Sequence, residues 1–408
     1  MKNVLIASFD MEVGGVERSL VSLLNNFDYK SHQVDLMLYS HTGDFMNLIP
    51  IYPNLLAELK PYKTFRMTIA ETIKSGNLLL GFARLRAKYE ASKSITGEAG
   101  YRQMQYMWKN SLPFLPKLER KYDIAISYLW PHYFVAEKVQ ATKKIAWIHT
   151  DFSTVDTDKK MDIQIWEKFN HMIAVSEECR NAFIKKYPTL ENKVLVMENI
   201  TSPDLVRSLA EEKVNNPMLQ DSRFKLITVA RLSHAKGIDN AVRALKLLKD
   251  KGYQDIVWYV VGYGGDEELI RTMIIENNLT DSFILLGKKL NPYPYMKAAD
   301  LYVQPSRYEG KAVTVTEAQI LSKSVIITNY TTARSQVKNG IDGYITELSA
   351  NGIAVGIEKL YENIELRNKL ANNCKNTDYS NNNELEKLYN LISENRRAYN
   401  DKCSSSSL

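Results

Sequence analysis

The chain has 408 residues, 45% of them hydrophobic and 25% charged, the balance of a globular protein long enough for two domains of roughly 200 residues each. Fifty-three Lys and Arg against 47 Asp and Glu leave a net charge of +6, too small over this length to mark a nucleic-acid partner. Collagen-like, disordered and coiled-coil chains are excluded, and no apolar run reaches the ~18 residues of a membrane-spanning helix.

Lys2-Asn3 leads into only six apolar or small residues before Asp10 and Glu12, too few for a signal peptide. Cys179, Cys374 and Cys403 are scattered and odd in number, with no C-x-x-C pair, so neither a disulfide framework nor a zinc site is expected. The expectation is a cytoplasmic protein.

Short apolar runs alternate with amphipathic stretches along the chain, the rhythm of a doubly wound α/β fold. Val4–Ala7 is followed by a helical pattern over Val16–Leu24 and a strand over Val34–Tyr39. Ile124–Ser127, Lys144–Ile148, Met172–Val175 and Val194–Met197 continue the series as buried parallel strands. A polar stretch from Ile200 to Ser222, with Pro203 and Pro217, then separates a second series. That series has strands at Phe224–Val229, Ile256–Val261, Phe283–Leu286, Tyr302–Gln304, Val325–Thr328 and Gly343–Thr346, and helices at Ile238–Asp250 and Asp266–Asn277. The expected domains are 1–200 and 201–382. A helix over 383–400 follows, packing on either domain or crossing back to the first, and then a disordered tail over 401–408.

Residues 59–121 break the rhythm. They hold thirteen Lys or Arg against four Glu, an excess larger than the net charge of the whole chain, with Tyr62, Phe65, Phe82, Tyr89, Tyr101, Tyr106, Trp108 and Phe114 interleaved. Two readings stand: a helical insertion with a solvated outer face, or a surface that meets anionic lipid headgroups or an anionic polymer. On the second reading Arg84, Arg86 and Lys88 face the headgroups.

Four turns carry residue types suited to chemistry. Gly14-Gly15-Val16-Glu17-Arg18 opens a helix after the first strand, and adjacent glycines let backbone N–H groups approach an anion. The turn is neither a G-x-G-x-x-G fingerprint nor a Walker loop, and a plain strand-to-helix connection explains it equally well. Arg231 and Lys236, five apart and followed by Gly237, sit after a strand where two cations suit a diphosphate. Val261-Gly262-Tyr263-Gly264-Gly265 is a second Gly-rich junction, and glycines make turns without any ligand. Glu309 and Glu317 bracket Gly310-Lys311-Ala312-Val313-Thr314, where a turn into a helix would bring both carboxylates near the helix start, as sugar-hydroxyl acceptors or as an acidic cap.

Taken in order, these residues resemble the retaining glycosyltransferases of GT-B fold, family GT4, across nearly the whole chain except 59–121. The matching motifs are Gly14-Gly15-Val16-Glu17-Arg18; His149 in Trp147-Ile148-His149-Thr150-Asp151-Phe152; Ala174-Val175-Ser176-Glu177; Asn199; Arg231, Lys236 and Gly237; and Glu309 with Glu317-Ala318. The resemblance implies two Rossmann-like domains facing a central cleft, an acceptor domain first and a donor domain second. It also implies a nucleotide-sugar donor, most often a UDP-sugar, and a glycan or lipid-linked acceptor, with no nucleic acid.

By the same resemblance Gly14 and Gly15 approach the diphosphate, Arg231 and Lys236 neutralise it, and Gly262 lies beside it. Glu309 holds donor-sugar hydroxyls, Glu317 the ribose, and His149 the sugar near the reacting carbon. Relatives often carry an apolar stretch after the first glutamate. Here Gly310, Lys311, Ala312 and Val313 stand there, so the donor sugar is not carried over. Asp156-Thr157-Asp158 has the D-x-D form of metal-dependent transferases, but the resemblance implies no metal and no cofactor. A non-catalytic scaffold subunit of the same fold is the alternative, and a sugar-nucleotide epimerase a third. Anionic membrane contact through 59–121 would place the protein peripherally at the inner face of the plasma membrane.

Overall fold

The computed structural model describes residues 1–92, 99–150, 152–153, 155–309 and 311–393. The chain folds as two compact units, one made of residues 1–201 with the chain from Asn381 onward, the other of residues 202–380.

The first unit holds seven parallel strands: β1 (Lys2–Ser8), β2 (His32–Leu38), β3 (Asn54–Leu55), β4 (Lys121–Ser127), β5 (Gln140–Ile148), β6 (His171–Ala174) and β7 (Val194–Val196), in the order β3-β2-β1-β4-β5-β6-β7. The second holds six: β8 (Phe224–Val229), β9 (Ile256–Val261), β10 (Phe283–Gly287), β11 (Leu301–Gln304), β12 (Ser324–Thr328) and β13 (Tyr344–Thr346), in the order β10-β9-β8-β11-β12-β13. Both orders run outward from the first strand of the unit, then reverse and run outward on its other side. The reversal lies between β1 and β4 in one sheet and between β8 and β11 in the other. In such sheets a crevice opens beyond the carboxyl ends of the strands at the reversal, and ligands bind there.

The apolar runs become strands because helices cover both faces. β9, Ile-Val-Trp-Tyr-Val-Val, is buried at every position. Alternate residues feed two cores: Leu226, Trp258, Val260, Leu301 and Val303 on one face, and Ile227, Val257, Tyr259, Val261 and Tyr302 on the other. The helix Ile238–Asp250 closes the first core with Ile238, Ala241, Val242, Leu245 and Leu248, spaced at three and four residues.

The basic segment is helical, with α-helices at Ile69–Lys74, Leu78–Ser92 and Ala99–Ser111 inserted between β3 and β4. Its charges are not one solvated face. Arg66 pairs with the buried Asp10 at 2.5 Å, Arg102 with Asp156 at 2.9 Å and Arg120 with the buried Asp35 at 2.8 Å. Arg84 is turned inward, donating to Thr64 O at 2.6 Å and Thr72 Oγ1 at 2.9 Å. Its expected role at a headgroup surface is therefore corrected: it ties two helices together.

The helix that begins at Asn383 is described as far as Ser393, and it packs on the first unit. Tyr389 stacks on His32 and accepts from Asp28 N at 2.7 Å, while the Glu384 carboxylate accepts from Glu198 N at 2.9 Å. Residues 394–408, including the proposed tail, lie outside the described residues.

Candidate active site

At the β8/β11 reversal, two loops are stitched together by polar side chains. After β8 the chain passes Arg231 and a short 3-10 turn, His234–Lys236, before Gly237 opens the next helix. After β11 it passes Ser306, Arg307 and Glu309. Arg307 N donates to Ala235 O at 2.8 Å, and the Arg307 guanidinium grips Asp239 with two bonds of 2.7 Å. Burial works to raise the Asp239 carboxyl, and the charge and hydrogen bonds of Arg307 override it, holding the carboxyl below its usual range.

This stitching brings Lys236 and Glu309 together, 73 residues apart in sequence. Lys236 Nζ lies 2.7 and 2.6 Å from the two Glu309 oxygens. Glu309 Oε1 also accepts from Ser306 Oγ at 2.6 Å and Gln304 Nε2 at 3.1 Å, and Thr332 Oγ1 donates to Glu309 O at 3.0 Å. The Glu309 side chain is 6% exposed and that of Lys236 28%. Lys236 is thus a half-buried partner of a buried carboxylate and not a free loop cation. Arg231 is exposed and makes no ion pair among the described residues.

Glycines let the loops close. Gly237 has φ of +64°, and a Cβ there would lie 2.0 Å from Pro305 O. At Gly262, with φ of +155°, it would lie 1.8 Å from Ala230 O. Backbone bonds from Ala230 N to Val261 O (3.1 Å) and Leu232 N to Tyr263 O (3.0 Å) hold that approach.

The helix after Glu309 runs Val313–Ile320 with Ala312 as its N-terminal flank, and Glu317 lies on it, buried, accepting from Tyr293 OH at 2.7 Å. Lys311 precedes this helix; Gly310 lies outside the described residues. Lys236, Glu309 and Glu317 therefore all belong to the carboxyl side of one sheet. Gln304, Ser306, Thr332 and Tyr293 complete the setting, and the sequence reading missed them. A glutamine and a serine ending the apolar run Leu301–Val303 were the available signal.

Gly14, Gly15 and His149 belong to the other unit. Gly14 is extended and flanks the helix Gly15–Asn26; Gly15 is exposed, and nothing lies within 4 Å of where its Cβ would be. His149 directly follows β5, its ring 4.7 Å from that of Tyr128. Tyr128 hydroxyl meets Ser19 Oγ at 2.6 Å, and Ser19 Oγ donates to Asn199 Oδ1 at 2.7 Å. These residues lie at the carboxyl side of the first sheet, around its own reversal. Burial pushes the His149 pKa down to about 3, and Nε2 is buried without a hydrogen bond among the described residues.

A second buried histidine was not foreseen. His132 packs edge-on against Trp166 at 4.5 Å, with Nδ1 2.8 Å from Ser127 Oγ. Burial, then the neighbouring His149, holds its pKa at about 3. The unfolded chain protonates this ring near pH 6.5 and the folded chain does not, so stability falls as pH drops from about 6.5 towards 3. At pH 5 the loss reaches about 2 kcal/mol. His132→Gln should flatten the slope of melting temperature against pH between 7 and 5; an unchanged slope removes His132 as its source.

The D-x-D carboxylates are already engaged. Asp156 pairs with Arg102, and Asp158 caps the helix Lys159–Trp166, accepting from Lys160 N at 3.0 Å and Met161 N at 3.1 Å. No group of three or more candidate metal ligands exists among the described residues.

Residues 210–377, which contain the whole Lys236/Glu309/Glu317 constellation, match the family model described as glycosyl transferases group 1. The chain is 24% identical over 317 residues to an uncharacterized glycosyltransferase of Methanocaldococcus jannaschii, covering 76% of this chain and 70% of that protein. It is 25% identical over 215 residues to the UDP-Gal:alpha-D-GlcNAc-diphosphoundecaprenol alpha-1,3-galactosyltransferase of Escherichia coli, covering 50% and 54%. Its fold is similar to that of Anabaena HepE, solved in complex with UDP, with a TM-score of 0.62, 17% identity, and 92% and 94% of the two chains covered.

Proposed function

We propose that this chain, whose residues 210–377 match the group 1 glycosyltransferase model, is a GT-B glycosyltransferase that transfers a sugar from a UDP-sugar to a lipid-linked glycan acceptor, with retention at the anomeric carbon, in surface polysaccharide or glycolipid assembly. One observation carries the donor half of this reading: Lys236 and Glu309 converge at the β8/β11 reversal, where open α/β sheets bind nucleotides. The E. coli relative uses UDP-Gal and a diphosphoundecaprenol-linked acceptor, and HepE holds UDP; both support a uridine donor, and the first supports a lipid-linked acceptor.

As the glycosidic bond breaks, negative charge gathers on the departing diphosphate. Preorganised cations lower the barrier because they meet charge that grows in the transition state. Arg231 and Lys236 take this role. Lys236 waits on Glu309; when donor enters, its ammonium turns to phosphate and Glu309 turns to sugar hydroxyls. Ser306 and Gln304 keep the carboxylate aimed throughout. Glu317, fixed by Tyr293, takes the ribose hydroxyls. In a same-face substitution the acceptor hydroxyl proton passes to the leaving phosphate oxygen, so no second opposed carboxylate is required. Gly14, Gly15 and His149 keep the roles the resemblance gives them. The cations supply the charge that Mg²⁺ provides elsewhere, so no metal is needed.

A thermal-shift series with UDP, GDP and dTDP tests the donor: UDP should raise the melting temperature, since a ligand bound only to the native state stabilises it by mass action. UDP release from UDP-sugar with a lipid-diphosphate acceptor, persisting in EDTA, is the expected second result. Stabilisation without turnover across donors and acceptors would point to a scaffold, and loss of turnover in EDTA restored by Mn²⁺ would return Asp156 and Asp158 to a metal role.

A further inference from the structure

The helix Leu78–Ser92 is built inside out. Its small residues face the protein: Gly81, Ala83, Ala87 and Ala91 are buried, and a Cβ on Gly81 would lie 2.5 Å from Ile73 Cγ1. Leu80 is buried with them, but the other large apolar residues face outward. Leu78 is 54% exposed, Leu79 59%, Phe82 64%, Leu85 46% and Tyr89 63%. At about 100° per residue, positions 78, 82, 85 and 89 fall within roughly 60° of one another, a continuous stripe with Leu79 along one side. A helix in water normally buries its bulky side chains and exposes small or charged ones. Here packing against the helices Ile69–Lys74 and Ala99–Ser111 uses the alanine side and leaves Leu78, Leu79, Phe82 and Leu85 46–64% exposed.

The flanks are cationic. Arg86 and Lys88 project on opposite sides of the stripe, and Lys74 is exposed just ahead of it. Lys74 and Lys88 make no ion pair among the described residues; Arg86 has one surface pair, with Glu90 at 2.9 Å, of the kind that contributes little. A second copy of the chain laid on the stripe would bring these cations against their equals. An anionic bilayer meets both requirements at once, accepting the apolar side chains about 5–10 Å into the headgroup–acyl boundary and pairing the flanking cations with phosphate.

We propose that the outward face of Leu78–Ser92, carried by Leu78, Leu79, Phe82 and Leu85 and flanked by Arg86 and Lys88, docks the protein on an anionic lipid surface. This rests on the lipid-linked acceptor reading and deepens it, because such an acceptor is reached only from the bilayer. Insertion of side chains, and not charge alone, holds the protein there. Arg84 takes no part, since its guanidinium bridges Thr64 and Thr72.

The test is co-sedimentation of the full chain with phosphatidylglycerol and with phosphatidylcholine vesicles. Wild type should partition to the anionic vesicles at least tenfold more strongly. The double variant Phe82→Ser, Leu85→Ser should lose tenfold or more of that partitioning even at low salt, although every cation remains. Arg86→Glu with Lys88→Glu should lose a similar factor at low salt. Phe82→Trp should gain emission that brominated lipid tails quench, which a merely basic surface would not produce. Unchanged partitioning of the serine variant, absence of quenching, or a wild-type dimer that the serine variant splits would each overturn the proposal. UDP stabilisation, measured on the same variants, reports separately: its absence in wild type would sink the donor reading, whereas intact UDP binding with no vesicle binding sinks only the docking surface.

Discussion

Lys236→Ala will lower turnover by roughly 10²-fold or more, the loss typical of removing one preorganised group that meets developing charge. Arg231→Ala should lower it comparably, but the two variants will differ in stability. Arg231 is exposed and without an ion-pair partner among the described residues, so its removal should leave the melting temperature near wild type. Lys236 is the counter-ion of Glu309, a carboxylate 6% exposed. Removing it leaves a buried charge held only by Ser306 and Gln304, at a cost of about 1–3 kcal/mol. Steady-state UDP release and a melting curve on both variants check the pair. Near-wild-type turnover in both would remove the diphosphate assignment. Equal melting temperatures would mean that Lys236 and Glu309 are not coupled in solution.

Gly237→Ala should strongly destabilise the second unit. It costs the left-handed backbone, φ +64°, and drives a Cβ to within 2.0 Å of Pro305 O, a backbone atom of the loop that carries Ser306 and Glu309. Together these should cost about 2–4 kcal/mol, because neither a main-chain oxygen nor the ion-paired loop beyond it can step aside cheaply. Gly287→Ala separates the two contributions: Gly287 has φ of +72° but nothing within 4 Å of its Cβ, so it should lose only about 1 kcal/mol. Urea unfolding of both variants, with UDP-induced stabilisation as the second readout, reads the difference. If Gly237→Ala unfolds no more easily than Gly287→Ala, the two loops are not in the contact described.

Where sequence and structure agree, the cause is a local pattern. The strands β1, β4, β8, β9 and β12 are apolar runs between turn residues, and a run buried on both faces has few other places to go. Lys236 and Glu309 were legible as residue types after strands, but their mutual ion pair was not, because it depends on Arg307 stitching two loops 68 residues apart. Composition described the basic segment only in part, for a related reason. A count of cations does not say that Arg66 and Arg120 reach Asp10 and Asp35, or that Arg84 turns inward. Nor does it reveal that Ala83, Ala87 and Ala91 are the packed side of their helix, since alanines and leucines at helical spacing normally take the opposite sides. The two-residue strand β3 carries too little pattern to be read. Tyr293, which fixes Glu317, lies 24 residues before it, with nothing in either position to announce the contact.

The path of the chain also sets an order of assembly during synthesis. The seat for Tyr389, made by Phe27, His32 and the Asp28 N–H, leaves the ribosome early, as do Asn199 and Thr201, which bind the Asn381 side chain at 2.9 and 2.8 Å. Their partners arrive only after residues 202–380 have been added, a delay on the order of ten to forty seconds at 5–20 residues per second. For that interval the first unit lacks its closing helix, and the apolar seat is open to water or to any passing chaperone. The second unit is continuous in sequence, from Ser202 to Ser380. The portion made first is therefore completed last.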